Sequence, residues 1–216
     1  MDCLGVKKQR NRFDSKTIKG AIFNSIYSGI DLQNRKNTIE TQKDVKPFVE
    51  LGFMPSRLAS GNQTIFWWKG NVTPPKDYKK WENLIRNLTT HFTERYGADE
   101  VKTWYFEVWN EPNLTPGFWT GTQEEYFKLY DYTARAVKSV NAAYKIGGPA
   151  TAGAAWVPET IEFCTKNNIP LDFISTHTYG VKHGYLDEFG TSGTILNKEE
   201  SSVSGDVINS RLQISN

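Results

Sequence analysis

From Val45 onward the chain alternates short apolar runs with longer stretches of helical period. Lys46–Phe53 (KPFVELGF) is an apolar run of strand length, closed by Met54-Pro55. Tyr78, Trp81, Leu84, Ile85, Leu88, Phe92 and Tyr96 recur at helical spacing, which predicts an amphipathic helix opened by Pro74-Pro75-Lys76-Asp77 and closed by Gly97. Trp104–Trp109 reads as a buried strand rich in aromatic residues. A second helix is predicted over Gln123–Ala143, where Thr122 and Glu125 have the spacing of a capping box. Tyr144–Pro149 is a short strand, Val157–Asn168 a third helix and Ile169–Thr176 a fourth strand. Asn209 onward could start another helix.

Strands that alternate with helices imply parallel strands joined by crossovers. The expected fold class is α/β. Residues 56–75 stand out as a long loop carrying Phe66-Trp67-Trp68, and loops of that length are usually functional. One or more of the three rings could line a ligand site, or they could fold back as a small apolar cluster.

Chemistry concentrates where the Trp104 strand stops, at Asn110-Glu111-Pro112-Asn113. Pro112 lacks an N–H and biases Glu111 toward an extended backbone. A carboxyl group at a strand's C-terminal end, beside an amide and among indoles, suits a general acid, because apolar surroundings raise its pKa. His177 and Tyr179 end the fourth strand and form a second candidate group. Glu107 lies four residues below Glu111, roughly 13 Å along an extended strand, and Glu50 lies within the first strand. Neither position suits a partner carboxylate.

Composition excludes several classes. The 26 Lys and Arg and 24 Asp and Glu are interspersed and leave a net charge of +2, so no basic stripe for nucleic acid exists. No apolar run is long enough to span a membrane. Met1–Arg10 lacks the apolar core of a secretory leader, which makes the expected location cytoplasmic. Cys3 and Cys164 are expected to be free thiols. The three His are scattered and suggest no metal site; no cofactor is expected. Aromatic residues make up 13% of the chain, with seven Trp, more than a minimal core needs and in keeping with a sugar-binding cleft.

Trp104–Leu114, followed by Phe118-Trp119, resembles glycoside hydrolase family 39, the β-xylosidase and α-L-iduronidase family. Lys46–Pro55, Gly70–Trp81, Gly147–Pro149 and Ser175–Tyr179 extend the resemblance, which is nearest the bacterial β-xylosidase branch. It implies a (β/α)8 barrel, here incomplete, with barrel strands 3 to 6 recognisable and strands 7 and 8 absent. Residues 1–45 would be a divergent or aberrant N-terminal segment, and 46–216 a partial barrel domain.

The resemblance further implies a retaining glycosidase acting on a xylo-oligosaccharide or aryl xyloside. Glu111 would be the acid/base and Asn110 the group that binds the sugar 2-hydroxyl. Phe118, His177 and Tyr179 would contact the substrate or the second carboxylate, which the family carries on strand 7, beyond Asn216. Two alternatives stay open: a catalytically dead remnant that at most binds sugar, and another family specificity such as α-L-iduronidase. A half-barrel exposes strand edges, so a homo-oligomer is among the expected states.

Overall fold

The computed structural model describes residues 46–177, 199 and 201–215. Its elements are β1 (Phe48–Leu51), β2 (Thr64–Ile65), β3 (Gly70–Asn71), α1 (Tyr78–Tyr96), α2 (Ala98–Val101), β4 (Tyr105–Val108), α3 (Gln123–Val140), β5 (Lys145–Ala152), α4 (Val157–Lys166), β6 (Phe173–His177) and α5 (Ser201–Ser215). The sheet runs β1-β4-β5-β6, and every pairing in it is parallel. The chain is therefore α/β with a parallel sheet, as its alternating pattern predicts.

The helices form where periodicity and capping coincide. Asp77 accepts a hydrogen bond from the Lys80 N–H at 3.0 Å, and Gly97, at φ 88°, closes α1 through its N–H to the Thr93 carbonyl. Both halves of the Thr122–Glu125 capping box open α3. The two helices pack on the sheet through Trp81, Leu84, Leu88, Phe92, Leu129, Tyr130 and Val137, all buried. The Trp81 indole N–H donates to the Thr133 hydroxyl at 2.8 Å, so a polar atom in the helix interface has its partner.

Period-2 alternation gives the sheet two different faces. Val49, Leu51, Phe106, Val108 and Ile146 are buried in the core cluster. On the other face Phe48, Tyr105 and Phe173 meet as a ring cluster, with centroids 5.2 to 5.9 Å apart. Glu50, Glu107 and Ser175 come next on that face, toward the C-terminal ends of the strands. Phe48 is 49% and Tyr105 37% exposed, so this second face is open at the N-terminal ends of its strands. A Cβ at Gly147 would lie 2.3 Å from the Phe173 carbonyl oxygen, so β5 and β6 approach closely only because that residue is glycine.

Three expectations shift. Residues 56–75 contain the β2–β3 hairpin and are pinned by Asn71, whose side chain donates to the Gly61 carbonyl and accepts from Thr73. Strand β6 begins at Phe173, not Ile169, because the Ile169 N–H bonds back to the Cys164 carbonyl at 2.9 Å and closes α4. Helix α5 begins at Ser201, ahead of the expected Asn209. Residues 1–45 and Tyr179 lie outside the described residues. No helix among the described residues is long and apolar enough to cross a membrane. Cys164 is a free, buried thiol.

Candidate active site

All four strands of a parallel sheet end on one side, and the candidate residues gather there. Glu111 is buried, and its Oε1 lies 2.9 Å from Nδ1 of His177. Two strands and a turn hold this pair. The Glu111 N–H donates to the Ala150 carbonyl at 2.8 Å, and the His177 carbonyl accepts from the Gly153 N–H at 2.9 Å. The Tyr126 hydroxyl rises from α3 to within hydrogen-bond distance of the Val108 and Pro149 carbonyls. It ties together the ends of β4 and β5.

The backbone at Glu111 corrects the expectation of an extended residue before Pro112. Glu111 has φ 48° and Trp109 has φ 69°, both in the left-handed region that costs a non-glycine residue roughly 1–2 kcal/mol. Tertiary bonds outweigh the local preference. The Glu111 N–H is anchored on β5, and its carbonyl accepts from the Leu114 N–H at 3.0 Å. The chain thus turns back at Glu111, and distance counted along an extended strand does not apply to its carboxyl group.

Asn113 holds the turn in place, a role that the sequence pattern alone does not single out. Its side-chain amide donates to the Ala152 carbonyl at 3.0 Å and accepts from the Ala152 N–H at 2.9 Å. The turn after β4 is thereby fixed to the end of β5. The repeated Asn in Asn110-Glu111-Pro112-Asn113 is the available signal. Asn110, partly exposed beside Glu111, makes no side-chain hydrogen bond to another described residue, which leaves its amide available to a ligand.

Aromatic rings form one wall. Phe53 meets Trp68 and Trp109 at 5.5 Å, Phe66 at 6.2 Å and Phe118 at 6.5 Å. The Phe118 carbonyl accepts from the Trp109 indole N–H at 2.8 Å. Phe66 and Trp68 therefore fold back into a cluster that includes Phe118, whereas Trp67 at the hairpin tip is 91% exposed.

Below Glu111 and His177 the sheet carries two more carboxyl groups, Glu107 buried and Glu50 half-buried. Burial pushes Glu50 up to about 8; repulsion from Glu107 and Glu111 adds to this, and His177 opposes it. Burial also raises Glu107, while the charge of His177 pulls the other way. The His177 pKa is raised, first by its hydrogen bond to Glu111 and then by the carboxylate charges, against the cost of burial. No set of three or more His, Cys, Asp or Glu among the described residues is arranged to hold a metal ion.

Fold and site together define an α/β protein with a carboxyl–imidazole pair at the C-terminal ends of parallel strands. The chain belongs to glycosyl hydrolases family 39, whose model matches residues 26–212. The match begins within the first 45 residues, where no strand pattern is legible. The chain is 60% identical over 135 residues to a β-xylosidase of Caldicellulosiruptor saccharolyticus, covering 62% of this chain and 28% of that protein. A Geobacillus stearothermophilus β-xylosidase is 56% identical over 149 residues, 68% of this chain and 29% of the relative. The crystal structure of a monomeric β-xylosidase from Caulobacter crescentus CB15 superposes with a TM-score of 0.75 at 51% identity, over 81% of this chain and 35% of that one. The chain thus spans 28–35% of the length of these relatives.

Proposed function

We propose that the chain is the acid/base half of a retaining glycoside hydrolase that cleaves β-xylosidic bonds, built on part of a (β/α)8 barrel. The observation that carries this reading is the buried Glu111 carboxyl held 2.9 Å from His177. A retaining enzyme protonates the leaving oxygen with one carboxyl group and attacks the anomeric carbon with another about 5 to 5.5 Å away. Glu111 takes the first role, giving its proton to the leaving oxygen and then removing one from water. His177 holds the Glu111 carboxyl in place. Asn110 binds the sugar 2-hydroxyl, Phe118 shapes the subsite, and Tyr179 adds a further substrate contact.

The attacking group must be ionised. With a pKa of about 8, Glu50 is largely neutral at pH 7, and Glu107, 6% exposed beneath Glu111, is closed to an anomeric carbon. Neither suits a nucleophile, and we assign that role to the carboxylate that the family resemblance puts at the end of strand 7. The β-xylosidase relatives, at 56–60% identity, support xylose over iduronic acid as the sugar.

A mechanism-based label tests this. Intact mass is measured after incubation with an activated 2-deoxy-2-fluoro-xyloside, on this chain and on one continued through strand 7. An adduct is expected on the continued chain alone; an adduct on the 216-residue chain overturns the nucleophile assignment. In the continued chain, Glu111→Ala should lose about 10²–10⁴-fold on substrates with poor leaving groups and far less on activated aryl xylosides. Equal losses on both would rule out the acid role.

A further inference from the structure

Glu50 and Glu107 have no part in the reaction proposed above, yet they sit directly beneath it. They are partners across the parallel β1–β4 pair. Partners in a parallel ladder point to the same face from backbones about 4.8 Å apart, so the two carboxyl groups are neighbours. Glu107 is 6% exposed and Glu50 is half-buried. The Lys and Arg ion pairs formed between described residues go to Asp77, Glu82, Asp99, Glu100, Asp131 and Asp172, never to Glu50 or Glu107. Among the described residues the groups around them are few. Glu111 and His177 lie above, Ser175 stands beside them on β6, and the Tyr126 hydroxyl of α3 bonds the Val108 carbonyl at the end of β4. Arg211 of α5 lines the cavity beside His177. Strand β5 contributes Gly147, Gly148 and Pro149, and no charge.

The geometry points to a positioning role: Glu50 and Glu107 act as one buried carboxyl pair that holds a single proton, and its remaining negative charge keeps His177 a hydrogen-bond donor to Glu111. Two adjacent carboxyl groups, one buried and one half-buried, with no cation between them among the described residues do not both ionise, and they titrate as a pair. The charge left on the pair balances an imidazolium independently of Glu111. His177 can then keep Nδ1–H directed at Glu111 both when Glu111 is ionised and when it has taken up a proton. Without that counter-charge, each proton gained by Glu111 would favour loss of the one on His177. The elevated Glu50 and His177 pKa values agree with this arrangement. The catalytic relevance of the pair rests on Glu111 being the acid/base.

Carboxyl ¹³C and imidazole ¹⁵N NMR titrations of the full chain test the proposal without turnover, and only three His need assignment. In the wild type one Glu carboxyl should titrate near pH 8. Glu50→Gln should lose that step, and Glu107→Gln should move it to lower pH, because the burial of Glu50 remains while the neighbouring charge is gone. The His177 midpoint should fall by a unit or more, about tenfold in proton affinity, only when both are replaced. A wild type with no carboxyl step above about pH 6, or a His177 midpoint unmoved in the double variant, overturns the proposal. A chain that titrates as expected but belongs to an inactive enzyme would sink the glycosidase reading alone. An active enzyme without the alkaline carboxyl step would sink this one alone.

Discussion

Replacing Glu50 by Gln should make the protein more resistant to alkali. The Glu50 pKa is 4.5 in an unperturbed chain and about 8 in the fold. Between those values the native state binds a proton that the unfolded state has released, so stability falls as pH rises. Each unit is worth 1.36 kcal/mol, so going from pH 5.5 to pH 8 costs the wild type about 3 kcal/mol through this one residue. The amide of the Glu50→Gln variant does not titrate and avoids that loss. His177 changes stability in the same direction: its folded pKa is raised, so its contribution is complete below about pH 6.5 and disappears as pH climbs through the folded value. His177 is present in both proteins, and its effect largely cancels in the comparison.

Urea unfolding of wild type and Glu50→Gln at both pH values provides the assay. The variant should gain about 3 kcal/mol on the wild type between pH 5.5 and 8, a relative midpoint shift of at least about 1 M urea. Any constant cost of the amide appears at both pH values and drops out. If the two proteins lose stability in parallel over this range, within about 0.5 kcal/mol, Glu50 is ionised in the fold and the reasoning fails.

Asn113→Ala removes two hydrogen bonds to Ala152 and leaves a buried N–H unpaired, which should cost about 2–3 kcal/mol in urea unfolding. A cost below about 0.5 kcal/mol would show that the turn after β4 is held by other contacts. Trp67→Ala, at a position 91% exposed, should change stability by no more than about 0.5 kcal/mol while removing the indole fluorescence most accessible to acrylamide. A loss of more than about 1 kcal/mol would mean that the Trp67 ring packs in solution.

Features carried by neighbours in the chain are the readable ones. Helices α1 and α3 emerge from apolar periodicity plus their caps, and the Thr122–Glu125 box is visible as a pair of letters. Strand β6 is placed too early by pattern because Ile169 belongs to an apolar run, yet serves to close α4 rather than to begin a strand. The β2–β3 hairpin, with two residues per strand, is too short to show any period. The backbone of Glu111 escapes prediction because the rule for a residue before proline is local, whereas the bond to Ala150 comes from another strand. Glu50 and Glu107 read as separate positions along single strands. Their adjacency exists only in the register between β1 and β4, which no reading along one strand contains.

At Glu111 the left-handed backbone sets two contributions against each other. Its φ of 48° suits glycine better than glutamate, by roughly 1–2 kcal/mol. A glycine here would regain that backbone free energy but lose the carboxyl bond to His177 at 2.9 Å. The net stability change of such a substitution is therefore smaller than either contribution alone, and it reports on their difference rather than on the contact.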